Sequence, residues 1–107
     1  MKYPNIDDLL QLIQSHKIKR EYIPIKNGQY TCGYVIKGID TVVLNEKNSL
    51  VCDMETYSHE LMHIWYEFAN NISLPETEIE WIALTELDMV KEYREAVRRR
   101  VLDYEHR

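Results

Sequence analysis

Five consecutive residues, His59-Glu60-Leu61-Met62-His63, constrain this chain most. Two histidines four apart meet on one face only when the segment is helical, where they lie one turn from each other. In that conformation both imidazoles reach a single zinc ion at about 2.0–2.1 Å. The glutamate after the first histidine does not ligate; it sits beside the fourth coordination position. Zinc lowers the pKa of a bound water from about 15.7 towards about 7, which makes hydroxide available at neutral pH. Glu60 takes the proton, the hydroxide attacks a polarised carbonyl, and the proton passes on to the leaving amine. Ile64, Trp65, Phe68 and Ala69 give the same helix an apolar side suited to a central, buried position.

A zinc site of this kind needs a third protein ligand. A histidine six residues after His63 is excluded, because Ala69 stands there and Tyr66 replaces the glycine that such a motif requires. His16 and His106 lie near the two ends. The remaining source is a glutamate on the next helix, where Glu76, Glu78 and Glu80 are candidates. Ile79, Ala83, Leu87 and Val90 form the inward stripe of that helix. Glu76 and Glu80 lie on or beside this stripe, and Glu78 points elsewhere. Glu76 has a structural use as the capping-box partner of Ser73. A tight antiparallel return also brings Glu80 nearer the level of His63. Glu80 is therefore expected as the ligand and Glu76 is the alternative. The carboxylate not used can orient a histidine.

The rest of the chain supplies a frame. Residues 6–19 read as an amphipathic helix with Ile6, Leu9, Leu10, Leu12 and Ile13 on its apolar side, extended to Ile18, and Asn5 as cap. Residues 21–26 form a short strand candidate, with Pro24 suggesting an edge. Asn27-Gly28 is a two-residue hairpin signal. A strand over 29–37, a turn at Gly38-Ile39-Asp40 and a strand over 41–45 complete a three-stranded antiparallel meander. Helices are expected from near Asp53 to Ala69, from Pro75 to about Val90, and over 91–105. A helix, three strands and then helices make an α+β arrangement. The chain has 107 residues, which suits a single domain over 1–107.

Composition removes several function classes. Hydrophobic residues make up 45% and charged residues 29%, with only three Gly and three Pro, which argues against disorder. The net charge of −5 disfavours direct nucleic-acid binding, which draws on basic clusters. Arg98-Arg99-Arg100 is the exception, read as a solvated helix face or a docking patch. No apolar run has signal-peptide or membrane-spanning form. The two cysteines, Cys32 and Cys52, match no zinc-knuckle or redox spacing, so a cytoplasmic protein with reduced thiols and no membrane association is expected.

One longer pattern runs through the chain. Thr41-Val42-Val43-Leu44-Asn45, then Tyr57-Ser58-His59-Glu60-Leu61-Met62-His63, then Ile79-Glu80-Trp81-Ile82-Ala83 resembles the ImmA/IrrE family of metallopeptidases. The likeness covers roughly residues 34–90. It implies a zincin-like fold of gluzincin type, Zn2+, and intracellular cleavage of a regulatory protein, often a DNA-binding helix-turn-helix repressor of a mobile element such as a phage. By position it implies His59, His63 and Glu80 as ligands and Glu60 as the base. Placing Ile82-Ala83 on the family's Phe-Ala pair instead makes Glu76 the ligand. Met62 stands where that family usually has a small residue. The expected activity is zinc-dependent endopeptidase. The alternative is a non-catalytic zinc-binding interaction protein of anti-repressor type, which would keep the fold without needing Glu60.

Overall fold

The computed structural model describes residues 4–36 and 41–105, so the turn expected at 38–40 and His106 lie outside the described residues. The architecture is α+β. Helix α1 (Ile6–Ser15) leads into strand β1 (Lys17–Glu21), followed by β2 (Gly33–Ile36) and β3 (Thr41–Asn45). Helix α2 (Leu50–His63) runs on without a break into a π-helical stretch, Ile64–Ala69. Helix α3 (Glu76–Trp81) likewise continues into a π-helical stretch, Ile82–Glu86, before helix α4 (Lys91–Glu105).

The sheet is mixed, with order β1-β3-β2. β3 pairs parallel with β1, Lys17 opposite Thr41, and antiparallel with β2, Gly33 opposite Leu44. This corrects the expected meander. The helix expected to reach residue 19 stops at Ser15, because His16 is already extended (φ −108°, ψ 171°). Ile18, which fits a helical stripe, is instead the inward residue of β1. The Asn27-Gly28 turn forms with positive φ at both residues (52° and 73°), as a type I′ turn requires. It closes only a single bridge, Lys26 to Gln29, and lies in an excursion between β1 and β2.

That excursion is held by Asn45 at the end of β3. Its buried amide donates to the carbonyls of Thr31 (2.9 Å) and Ile23 (3.2 Å), and its Oδ1 accepts from Lys47 N (3.1 Å). The side chain thus meets backbone groups that no strand partner satisfies.

β3 is buried along its whole length and sits at the centre of the core. Val42 and Leu44 share one core with Leu9 and Ile13 of α1, Tyr57, Leu61 and Met62 of α2, which packs on β3, Ile79 and Ile82 on the following segment, and Tyr93, Val97 and Val101 of α4. Each such aliphatic side chain contributes on the order of 1.5–3 kcal/mol when fully removed from water. Asn5 caps α1 by accepting from Asp8 N (2.9 Å), as expected, and Ser49 caps α2 by accepting from Cys52 N (3.2 Å).

Two polar devices anchor the helix that carries the histidine motif. Asp53, fully buried in the first turn of α2, is paired with Arg20 of β1 and accepts from Asn48 Nδ2 (3.0 Å). Ser58 shares a buried hydrogen bond with Tyr93 of α4. Arg98 and Arg99 lie exposed, but Arg100 turns inward and donates to the carbonyls of Ile13 and His16 (3.2 Å each). One third of the basic run therefore serves the open C-terminal end of α1.

Candidate metal centre

His59 and His63 lie in the last turn and a half of α2, on the face opposite Leu61 and Met62, which are fully buried. Both histidines are half-buried. Their rings sit 4.9 Å apart and tilted by 55°, and their Nε2 atoms face each other at 3.2 Å. A helix alone gives this spacing, since residues four apart are stacked neighbours.

The third member of the group is Glu76, at the start of α3. Its Oε1 bonds His59 Nε2 and lies 3.2 Å from His63 Nε2, and its Oε2 is 3.1 Å from His63 Nε2. Among the described residues, His59, His63 and Glu76 are the three acid, histidine or cysteine side chains whose donor atoms all lie within 4.8 Å of one another. Glu80, the expected third ligand, is not in that group. It is exposed one turn further along and lines a cleft with Cys32, Gly33, Thr56, His59 and Glu60. The structural reason is the start of α3. The helix begins at Glu76 with Pro75 as its cap residue and no side-chain capping bond. The capping box of Ser73 with Glu76 does not form, so the Glu76 carboxylate is available to the histidines. Glu78 is half-buried and is also outside the group.

Sequence reasoning missed Glu67. It stands one turn beyond His63, in the π-helical stretch, and its Oε1 lies 3.2 Å from His63 Nδ1. A hydrogen on Nδ1 shared with this carboxylate leaves the Nε2 lone pair facing the cluster, the arrangement that orients a ligating histidine. The signal was present in the sequence, an acid four residues after a candidate ligand.

The electrostatics follow from this crowding. Burial works to lower the His63 imidazole, but its hydrogen bonds to Glu76 and Glu67, together with the negative charges of Glu76 and Glu60, hold it above the ordinary histidine value. Burial works to raise Glu76, but the two imidazoles hold its carboxyl below the usual range. Glu60 is raised. Its burial outweighs the attraction of His59 and His63, and the carboxylates of Glu76 and Glu67 add to the rise. A raised carboxyl is a stronger base once ionised.

The donor set fits a cation. Ligands on a tetrahedral metal with bonds of about 2.0–2.1 Å lie about 3.3 Å from one another. The imidazole pair at 3.2 Å and the His63–Glu76 pair at 3.2 Å match that edge, while His59 and Glu76 stand closer, in direct hydrogen-bond contact. Two nitrogens and one carboxylate oxygen, with a fourth direction left open, are what a hydrolytic zinc site uses. The same contacts can also be made by a shared proton, with Glu76 accepting from a protonated imidazole. No family model matches the chain, and no curated protein or solved structure matches it either.

Proposed function

We propose that this chain is a zinc-dependent endopeptidase of the ImmA/IrrE type, acting in the cytoplasm on a regulatory protein such as a helix-turn-helix repressor. The observation that carries the reading is the convergence of Glu76 on His59 and His63, with donor atoms all within 4.8 Å of one another beside Glu60, on the open side of a helix that buries Leu61 and Met62. In this reading Glu76 replaces Glu80 as third ligand. The zincin-like character of the fold rests on the motif helix followed by the ligand-bearing helix.

His59, His63 and Glu76 would hold the ion, and Glu67 would fix the tautomer and orientation of His63. A zinc ion held there supplies Lewis-acid polarisation of a water and of the scissile carbonyl. Glu60 lines the cleft together with His59, and in this reading its carboxylate would take the proton of the attacking water. It accepts that proton and delivers it to the departing amine, acting first as base and then as acid. The cleft is shallow and open, which suits an extended peptide better than an enclosed small molecule. No helix among the described residues is long and apolar enough to cross a membrane.

The test compares wild type with Glu60→Gln, both zinc-loaded. Candidate repressors and a peptide panel are incubated with each, cleavage is followed by mass and association by pull-down. The variant should keep its metal and its partner but lose cleavage by about 10²–10⁴-fold. Equal cutting by both proteins refutes the assignment of Glu60. Equal binding and equal relief of repression without cutting favours the non-catalytic interaction protein.

A further inference from the structure

The two cysteines, twenty positions apart in sequence, meet in space. Cys32 Sγ and Cys52 Sγ are 3.4 Å apart and both are free thiols. Cys32 sits just before β2, and Cys52 in the first turn of α2. What brings them together is Gly33. A Cβ at that position would stand 2.4 Å from Val43 O and 2.8 Å from Thr56 Cγ2, so β2 lies tight against both β3 and α2. The thiols face each other across that close approach. Cys32 also lines the cleft that holds His59 and Glu60, which makes it reachable by a small solute.

We propose that Cys32 and Cys52 form an oxidisable dithiol that closes reversibly to a disulfide and ties the wall of the cleft to α2. A disulfide needs an S–S distance of about 2.05 Å, so closure asks for an approach of about 1.3 Å, within the reach of side-chain rotation. The oxidant is a low-molecular-weight disulfide. The Cys32 thiolate attacks one of its sulfurs, forming a mixed disulfide and releasing one small thiol. The Cys52 sulfur then attacks Cys32 Sγ, forming the internal bond and releasing the second small thiol. Two protein thiols are oxidised and one small disulfide is reduced to two thiols. Burial and the neighbouring Cys32 thiol push Cys52 up to about 11, which keeps it protonated and leaves the first attack to Cys32; its own, slower attack is helped by a partner sulfur already in place. The alternative role for the pair is a thiol contact in a packed interface with no chemistry. The proposal does not depend on hydrolytic activity.

The experiment treats the full chain with oxidised glutathione, blocks remaining thiols with iodoacetamide and maps the peptides by mass. The expected result is loss of both free thiols, a Cys32–Cys52 linked peptide, no covalent dimer and full recovery on reduction. Closing a loop of this length should raise Tm by on the order of 10 °C. Cys52→Ser should instead accumulate glutathione on Cys32, because the resolving thiol is missing. Two thiols that stay alkylatable, a wild-type chain that keeps a stable glutathione adduct, or crosslinks only between chains would each overturn the proposal.

Discussion

Replacing Glu76 by alanine separates the two possible ligand sets. Glu76 touches both imidazoles, whereas Glu80 is exposed and outside the group. Loss of a carboxylate that merely orients a ligand costs about 10–100-fold in metal affinity. Loss of a direct ligand should exceed this, so Glu76→Ala is expected to weaken zinc by more than about 100-fold and Glu80→Ala by less than about tenfold. The difference is visible as heat stability. With zinc at 100 times the wild-type dissociation constant, binding stabilises the fold by about 2.7 kcal/mol, and a 100-fold weaker site keeps only about 0.4 kcal/mol. The lost ~2.3 kcal/mol corresponds to a fall in Tm of roughly 9–18 °C for a chain of this size. The side chain of Glu76 is 64% exposed, so the metal-free variant should melt close to metal-free wild type. Thermal melts with and without zinc, and competition against a chelator, give both numbers. If Glu80→Ala loses zinc and Glu76→Ala keeps it, the spatial argument for Glu76 is wrong. If neither changes the affinity, the contacts among the three side chains are a proton-sharing cluster and not a metal site.

Three further outcomes follow from particular contacts. Glu67→Gln should lower zinc affinity by about 10–100-fold while leaving the fold intact, measured by the same chelator competition. Asp53→Ala removes the buried carboxylate held by Arg20 and Asn48 and should cost about 3–5 kcal/mol, read from the urea midpoint at constant m-value. Gly33→Ala forces a methyl into Val43 O and Thr56 Cγ2, and should cost about 1–3 kcal/mol on the same assay.

The helices were legible where apolar spacing and caps agreed. α4 occupies the span 91–105 expected from sequence, and Asn5 caps α1 as its position suggests. The sheet was less legible for a physical reason. Ile18 satisfies a helical stripe and a strand alternation equally, so local pattern does not decide where α1 ends. The parallel pairing of β1 with β3 joins segments more than twenty residues apart, and nothing local records it. The Asn27-Gly28 turn was read correctly, but the strand expected over 21–26 does not form and the one expected over 29–37 narrows to β2, Gly33–Ile36. The turn depends only on two backbone torsions, whereas the strands depend on partners elsewhere.

At the candidate metal centre the helical pair was fixed by spacing, and the two imidazoles face each other. The third carboxylate depended on the first residue of α3. A shift of the helix start turned Glu76 from a supposed cap partner into the group that reaches His59 and His63. The π-helical character of the stretch after α2 had no sequence mark, whereas the His63–Glu67 contact was marked by its four-residue spacing and went unread. Such widened turns are frequent at functional sites.

The order of the sheet bears on how this protein behaves at high concentration. Thr41-Val42-Val43-Leu44 combines β-branched and apolar residues without a charge, the composition that favours intermolecular strand stacking. In the fold that segment is the middle strand, so its backbone groups are engaged on both sides. The outer strand β1 carries Lys17 and Lys19, both exposed, and ends on Glu21. Charged residues on an outer strand discourage edge-to-edge docking of a second molecule. Strand stacking through residues 41–44 therefore has to begin with loss of β1 or β2 from β3, and conditions that loosen the sheet without unfolding the helices are the ones that should promote it.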